Sequence, residues 1–583
     1  MVKIPGVMNF PITSNPHKGS FHRAFTSLLH FVCCGLIGLQ GFDVMPARLI
    51  HLLISCCLLS FASAATGNRE RWIYIPANFQ VDAEAARVIA LLKRAKGAGY
   101  THALLADSKF ARLGDVIESY RTNAARVKQT AAELGIELVP AIFPIGYSNS
   151  MLYHDPNLAE GLPVKDSLFV VREGTARHVP DPDVRLPDGG MNDRKAWTFI
   201  DDSVVFEDGA MHSGPTMANA RLARKLTVAP FRQYHISVRV RTRGFTGATA
   251  EIKSIGADGT QLQWTNTGIK ADQEWTTHHV TFNTLSNTTV TLYFGVWGGH
   301  QGSIWWDAAA VSECGLVNVL RRPGAPFVVR TEDGRVLREG TDYDNVRDPQ
   351  LGNKPWPGEY TTWHEPPDIR VHGLADGTRL RVSFFHPHII YDGQVCICPS
   401  EPATTALLRD EAERVHNLWH AKTYMMSHDE WRVLGWDQAC LARHLSPGQI
   451  AADSARTCTG ILRETAPGGR VAVWSDMFDP FHNATDHYYL VNGSLADSWL
   501  GLDSSTLIIN WNSGHAAESL RFFAGRGHQQ IIAGYYDSGV ASIRPWLVAS
   551  KGVDGVIGVM FTTWRGNYTD LEAFAHELDQ AGF

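Results

Sequence analysis

The sequence predicts an α/β protein, a (β/α)8 TIM barrel interrupted after its third strand by an all-β insertion. Three observations predict it. Short apolar runs alternate with amphipathic helical segments over residues 71–148, and that rhythm implies a parallel sheet. The rhythm stops for about 250 residues of period-two, strand-like pattern. It then resumes at Glu401 and supplies five more strands, completing eight strand–helix units.

Each element has its own signal. Trp72–Pro76 is the first strand, and Asp82 opens a helix whose apolar positions are Ala86, Ile89, Ala90 and Leu92, closed by Gly97 and Gly99. His102–Ala106 is the second strand, Ile117–Leu134 an amphipathic helix ended by Gly135, and Glu137–Pro144 the third strand. In the insertion, Ile236, Val238 and Val240 alternate, as do Val290, Leu292, Phe294 and Val296, while Asp258-Gly259 and Asp333-Gly334 mark hairpins. Residues 151–194 read as linker and short β segments, 195–322 as a β-sandwich, and 323–395 as a small β module. Beyond it, Ala403–His420 is helical and Thr423–Met426 is strand 4. Val471–Trp474, Thr506–Trp511, Gln530–Tyr535 and Val556–Thr562 follow as strands 5 to 8. Helices are expected at Ile450–Glu464, Ala516–Arg526 and Ile543–Ser550.

The first 64 residues read as a leader. An apolar run follows Arg48 and ends in Ala62-Ser63-Ala64, a small-residue cleavage pattern, and Met45 would begin a signal of ordinary length. A secreted or periplasmic mature chain without a membrane span is the expectation, with an N-terminal anchor as the minor alternative.

The 583 residues carry 53 Lys+Arg against 59 Asp+Glu, and no long basic run, so nucleic acid is not expected as a partner. Seventeen Trp with only 19% charged residues favour a flat, neutral ligand, and sugars fit because their C–H faces stack on aromatic rings. No G-x-S-x-G, P-loop or dinucleotide glycine pattern is present. Cys396-Ile397-Cys398 lacks a second cysteine pair. No metal and no cofactor are therefore expected.

In a barrel of this kind, chemistry sits at the C-terminal ends of the strands. Those ends read Ser427-His428-Asp429-Glu430, Trp474-Ser475-Asp476-Met477, Asn510-Trp511-Asn512, Tyr535-Tyr536-Asp537 and Thr563-Trp564-Arg565. Carboxylates and large aromatics converge on one rim. Adjacent Asp429 and Glu430 cannot flank a glycosidic bond as acid and nucleophile in the usual retaining geometry. They suit substrate-assisted cleavage, in which one acid protonates the leaving oxygen and the other orients a 2-acetamido group that attacks C1.

These rim motifs resemble the family-20 glycoside hydrolases, the β-N-acetylhexosaminidases. The likeness is carried by His428-Asp429-Glu430, by Val473-Trp474-Ser475-Asp476-Met477, by Tyr535-Tyr536-Asp537 and by Thr563-Trp564. It is supported by Cys396-x-Cys398-Pro399-Ser400-Glu401-Pro402, and it covers residues 71–148 and 396–575. It implies Glu430 as general acid and base, Asp429 orienting the acetamido nitrogen, Tyr535 binding the acetamido oxygen, and Trp511 and Trp564 as walls. It implies Asp537 on a ring hydroxyl, with Asp476 supporting Glu430 or the sugar. His428, Tyr536 and Arg565 complete the substrate-binding set. The chain departs from the family by lacking the strand-1 Arg and by carrying Gly566 where a Glu is usual. The alternatives are a non-catalytic carbohydrate-binding barrel, or a retaining glycosidase pairing Glu430 with Asp476 or Asp537 as nucleophile. The inserted sandwich resembles a carbohydrate-binding module, with Trp264, Trp275 and Trp297 as a stacking platform. The expected partner is an oligo- or polysaccharide.

Overall fold

The computed structural model describes residues 69–583, so the leader lies outside the described residues. Eight parallel strands close into a barrel: β1 (Glu70–Pro76), β2 (His102–Ala106), β3 (Glu137–Ile142), β4 (Thr423–Met426), β5 (Arg470–Trp474), β6 (Leu507–Asn510), β7 (Gln530–Ile532) and β8 (Val556–Phe561). β8 pairs with β1 to close the ring, with Arg71 opposite Val559. The insertion leaves after β3 and the chain returns to pair β4 directly with β3, Met425 opposite Ala141.

Alternation along each strand separates two apolar layers. Trp72, Leu104, Val139, Met425, Leu507, Ile509, Ile531 and Met560 fill the barrel interior. Ile73, Ile75, Leu105, Ile142, Val473, Ile508, Val559 and Phe561 face outward into the larger core. That core includes residues of α1 (Asp82–Gly97), α2 (Glu118–Leu134), α3 (Pro402–Trp419), α4 (Pro447–Thr465), α5 (Ala516–Ala524), α6 (Arg544–Ala549) and α7 (Leu571–Gln580). Gly135 ends α2 in the left-handed conformation at φ 64°, as a helix C-terminus favours.

The eight-unit expectation needs one correction. No α-helix follows β5. Residues 475–506 instead run through short 3-10 turns at Asp476–Phe478 and Ser498–Gly501. Pro480, Gly493 and Gly501, with interspersed Asp and Asn, break helical continuity there. Within this stretch Leu490–Val491 pairs in parallel with Val433–Leu434, tying the loop after β5 to the loop after β4.

The insertion forms three sheets. A five-stranded and a four-stranded antiparallel sheet lie within residues 199–313 and share a core containing Leu222, Ile236, Val238, Val240, Phe294 and Trp306. A further five-stranded sheet combines Gly161–Arg172 and Thr175–His178 with Val328–Thr331, Ile369–Arg370 and Arg379–Pro387. The three tryptophans do not share one surface. Trp275 is on the five-stranded sheet of the sandwich and Trp297 on the four-stranded one. Trp264 packs against Tyr489 of the barrel loop at 4.5 Å between ring centroids. The expected common platform is absent.

Candidate active site at the barrel mouth

The C-terminal mouth of the barrel is walled by aromatic rings from five strands. Tyr74 near the end of β1 lies edge-on to Trp564 at 5.2 Å, and Trp474 ends β5 at 5.9 Å from Trp564. Tyr536 bridges Trp564 at 6.2 Å and Trp511 at 5.8 Å. The Tyr536 hydroxyl donates to the Trp511 carbonyl at 2.8 Å, which fixes the turn after β7 to the turn after β6.

Three carboxyl groups, Asp429, Glu430 and Asp476, interact inside this wall. Asp476 is fully buried. Its Oδ1 accepts the Trp511 indole N–H at 3.2 Å. Its Oδ2 accepts the Glu430 backbone N–H and the Asn483 amide, each at 2.9 Å. Burial, with the nearby Glu430 charge adding to it against these donors, pushes Asp476 up to about 7. Burial is also the first cause for Asp429, and the charges of Asp476 and Glu430 add to it, so its carboxyl is pushed up to about 8. Burial and the Asp429 charge together push the Tyr74 hydroxyl above its ordinary value.

Glu430 turns toward a different wall. Its Oε2 accepts the Tyr147 hydroxyl and pairs with the Arg432 guanidinium. Arg432 is almost wholly buried beneath three tyrosines, its guanidinium 5.5 Å from the Tyr147 ring and 5.0 Å from those of Tyr391 and Tyr489. Burial is the largest influence and opposes its charge, but the Glu430 carboxylate and the surrounding tyrosines, Tyr147, Tyr488 and Tyr489, together hold it above the usual arginine value. Gln394, from the end of the insertion, accepts from Arg432 and donates to the Gly146 carbonyl at 2.9 Å. A Cβ on Gly146 would stand 1.9 Å from the Asp429 carbonyl oxygen, so only glycine lets the β3 loop close over the acidic pair. The rim turns carry left-handed non-glycine residues, Phe143, Glu430, Tyr536 and Asp537, at φ between 51° and 59°. Such conformations cost about 1–3 kcal/mol each and cluster where function demands them.

Four expected site residues are placed otherwise than the sequence suggested. Tyr535 faces away from the mouth, stacked on Phe561 at 4.1 Å, and its hydroxyl donates to Asp570 beside α7 at 2.8 Å. Tyr536 takes its place on the rim. His428 is fully buried between Trp431 and Phe478, and burial lowers its ring to about 3, so it offers nothing to a substrate. Asp537 uses Oδ1 to accept the Thr563 hydroxyl at 2.5 Å, and Oδ2 to accept the Trp564 and Arg565 backbone N–H groups at 2.8 and 3.2 Å. It laces β7 to β8 and is not presented as a nucleophile. Arg565 is exposed outside the aromatic wall. Asp429, Glu430, Asp476, Trp511, Tyr536 and Trp564 do come together. Trp474, read from the sequence as part of the strand-5 rim, is in the wall as expected. Sequence reasoning missed Tyr147, Arg432, Tyr74 and Asn483, of which Tyr74 was legible as an inward position near the end of its strand.

No family model matches the chain, and no curated protein matches it. Among solved structures, a glycoside hydrolase family 20 β-N-acetylglucosaminidase is similar at 8% identity and a TM-score of 0.34, over 88% of this chain and 69% of that one. A rhamnosidase from Novosphingobium sp. PP1Y is similar at 10% identity and a TM-score of 0.29, over 87% of this chain and 56% of that one. A CBM22-1 xylan-binding domain from Paenibacillus barcinonensis is similar at 16% identity and a TM-score of 0.19, over 24% of this chain and 97% of that one. Likenesses this distant leave the activity to be argued from the site itself. No helix among the described residues is long and apolar enough to cross a membrane.

Proposed function

We propose that the barrel mouth cleaves glycosidic bonds of a 2-acetamido sugar by a substrate-assisted mechanism, with Asp429 and Glu430 as the acidic pair. One observation carries this reading. Of the rim carboxylates, Asp476 and Asp537 have both oxygens engaged by protein donors, which leaves Asp429 and Glu430 for a substrate. Adjacent residues on one strand end cannot attack and protonate from opposite faces of a sugar, so the nucleophile comes from the substrate. The aromatic wall fits the apolar faces of a pyranose ring and an acetamido methyl.

The electrostatics favour a division of labour opposite to the one the family-20 resemblance implies. Tyr147 and Arg432 are both donors to Glu430 Oε2, so Glu430 acts as the acceptor, the carboxylate that receives an acetamido N–H and balances the oxazolinium charge. Asp429 carries the proton at neutral pH and gives it to the leaving oxygen, then recovers one from the water that opens the oxazolinium. We further propose a secreted, saccharide-processing role, which the apolar N-terminal run of the sequence and the aromatic barrel mouth support.

The test is a panel of aryl β-glycosides with and without the 2-acetamido group. Hydrolysis confined to the acetylated members, with tight binding of a thiazoline that mimics the cyclised intermediate, supports the mechanism. Equal rates on non-acetylated members would refute it.

A further inference from the structure

Away from the mouth, four side chains from three distant parts of the chain converge in the protein interior. Glu160 lies just before the first strand of the insertion, Cys398 just after the insertion ends, and Asp437 and Cys440 in the loop after β4. All four are buried, and one ligand atom from each lies within 4.8 Å of the others. Cys398 Sγ is 3.7 Å from Cys440 Sγ and 3.5 Å from Asp437 Oδ1. Cys440 Sγ is 3.4 Å from Glu160 Oε2.

We propose that Glu160, Cys398, Asp437 and Cys440 form a structural zinc site. A tetrahedral zinc with bonds of about 2.3 Å to sulfur and about 2.0 Å to oxygen sets its ligands about 3.8 Å apart for two sulfurs and about 3.5 Å apart for sulfur and oxygen. The three separations match those edges. A disulfide needs sulfurs about 2.05 Å apart, and these stand at the spacing of neighbouring ligands instead.

The surroundings are those of a ligand shell. Each carboxylate aims one oxygen inward and has the other anchored from behind. Glu160 Oε1 accepts the Trp436 backbone N–H at 2.9 Å, and Asp437 Oδ2 pairs with Arg322. Arg322 also pairs with Glu401, so the guanidinium is itself fixed. Outer partners of this kind orient ligands and fix their protonation. Two thiolates and two carboxylates carry four negative charges, and a divalent cation with Arg322 offsets three of them. The ligand set is closed by four protein groups and buried, which marks a structural rather than a catalytic zinc. It clamps the chain entering the insertion and the chain leaving it to the loop that carries Glu430 and Arg432. On binding, the two thiols lose their protons to solvent and no electron is transferred.

The experiment uses the full chain, purified without added metal and analysed for metal content, then stripped with a chelator and titrated with Co(II) alone. The expected result is about one zinc per chain, a thiolate-to-cobalt charge-transfer band that saturates at one equivalent, and a higher Tm on adding Zn(II). Cys398→Ser and Cys440→Ser should lower the zinc content and the band, while Cys458→Ser, at a cysteine outside the cluster, should leave both intact. The titration of the unmutated chain decides the matter if the serine variants do not fold. Absence of a charge-transfer band when the stripped chain is titrated with Co(II), or a Cys398–Cys440 disulfide in the purified protein by mass spectrometry, would overturn the proposal.

Discussion

Asp476→Asn isolates the charge that helps keep Asp429 protonated. Asp429 rises from an ordinary 3.8 to about 8, with burial the first cause and Asp476 the second. At an effective dielectric of about 20, a like unit charge at roughly 6 to 12 Å is worth about two down to about one pH unit. Burial takes the larger share and Glu430 some of the rest, so removing the Asp476 charge should lower Asp429 by about one pH unit. The amide keeps an acceptor for the Glu430 N–H and gives up one hydrogen bond, about 1 kcal/mol. The sign is fixed. A protonated Asp429 is lost as pH rises through its pKa, so it sets the basic limb of the kcat/KM profile. The assay is that profile on an aryl 2-acetamido glycoside between pH 5 and 10. The basic limb should move from near 8 to near 7, with the acid side kept. A basic limb that stays in place would refute Asp429 as the proton carrier.

Further outcomes follow from the same geometry. Arg432→Met removes a cation that lowers Asp429, so the basic limb should move up, opposite in direction to Asp476→Asn, and kcat/KM should fall at least about tenfold with the loss of a buried ion pair. Tyr535→Phe should lower stability by about 1 kcal/mol through the lost bond to Asp570, read in urea unfolding, and leave kcat/KM within about twofold. A loss beyond tenfold would return Tyr535 to the substrate. Gly146→Ala should cost more than about 2 kcal/mol and suppress activity, because its methyl meets the Asp429 carbonyl. Asp429 and Asp476 both have folded pKa values raised above their unfolded ones. Their contribution to stability is therefore complete below about pH 4 and is lost as pH rises through about 7 and 8. Calorimetry should show Tm falling from pH 5 to pH 9, and falling less in Asp476→Asn.

The barrel was legible because each strand has an outward apolar face and an inward one, and both are buried. Trp72 and Ile73, or Val473 and Trp474, therefore read as unbroken apolar runs. The resemblance sets Tyr535 at the substrate, and strand alternation points the same way. Ile531 and Ala533 face inward, and continuing the alternation puts Tyr535 inward too. The strand ends at Ile532, however, and the chain has left the pleat before Tyr536 and Asp537 turn left-handed. A period of two holds only while the strand lasts. The count of eight strands implies eight helices, but Pro480, Gly493 and Gly501 leave no continuous helical segment between β5 and β6. The Asp429-Glu430 pair was readable as a local motif. Its wall of Tyr147, Arg432 and Gln394 was not, since three segments far apart in sequence meet there only in the fold, with Gln394 donating to both the Gly146 and the Glu430 carbonyls. Glu160 and Asp437 escaped notice for a related reason, since no sequence spacing links residues on opposite sides of an insertion.

The central claim is that Asp429 and Glu430 act as a pair with divided roles. The most direct measurement compares Asp429→Asn and Glu430→Gln on one aryl 2-acetamido glycoside series with leaving groups of rising basicity. The account predicts that both variants retain the fold. Asp429→Asn should lose most on poor leaving groups, which need the proton, and Glu430→Gln should lose about equally on all. Equal activity of either variant with the unmutated protein, or the leaving-group dependence falling on Glu430→Gln instead, would contradict it.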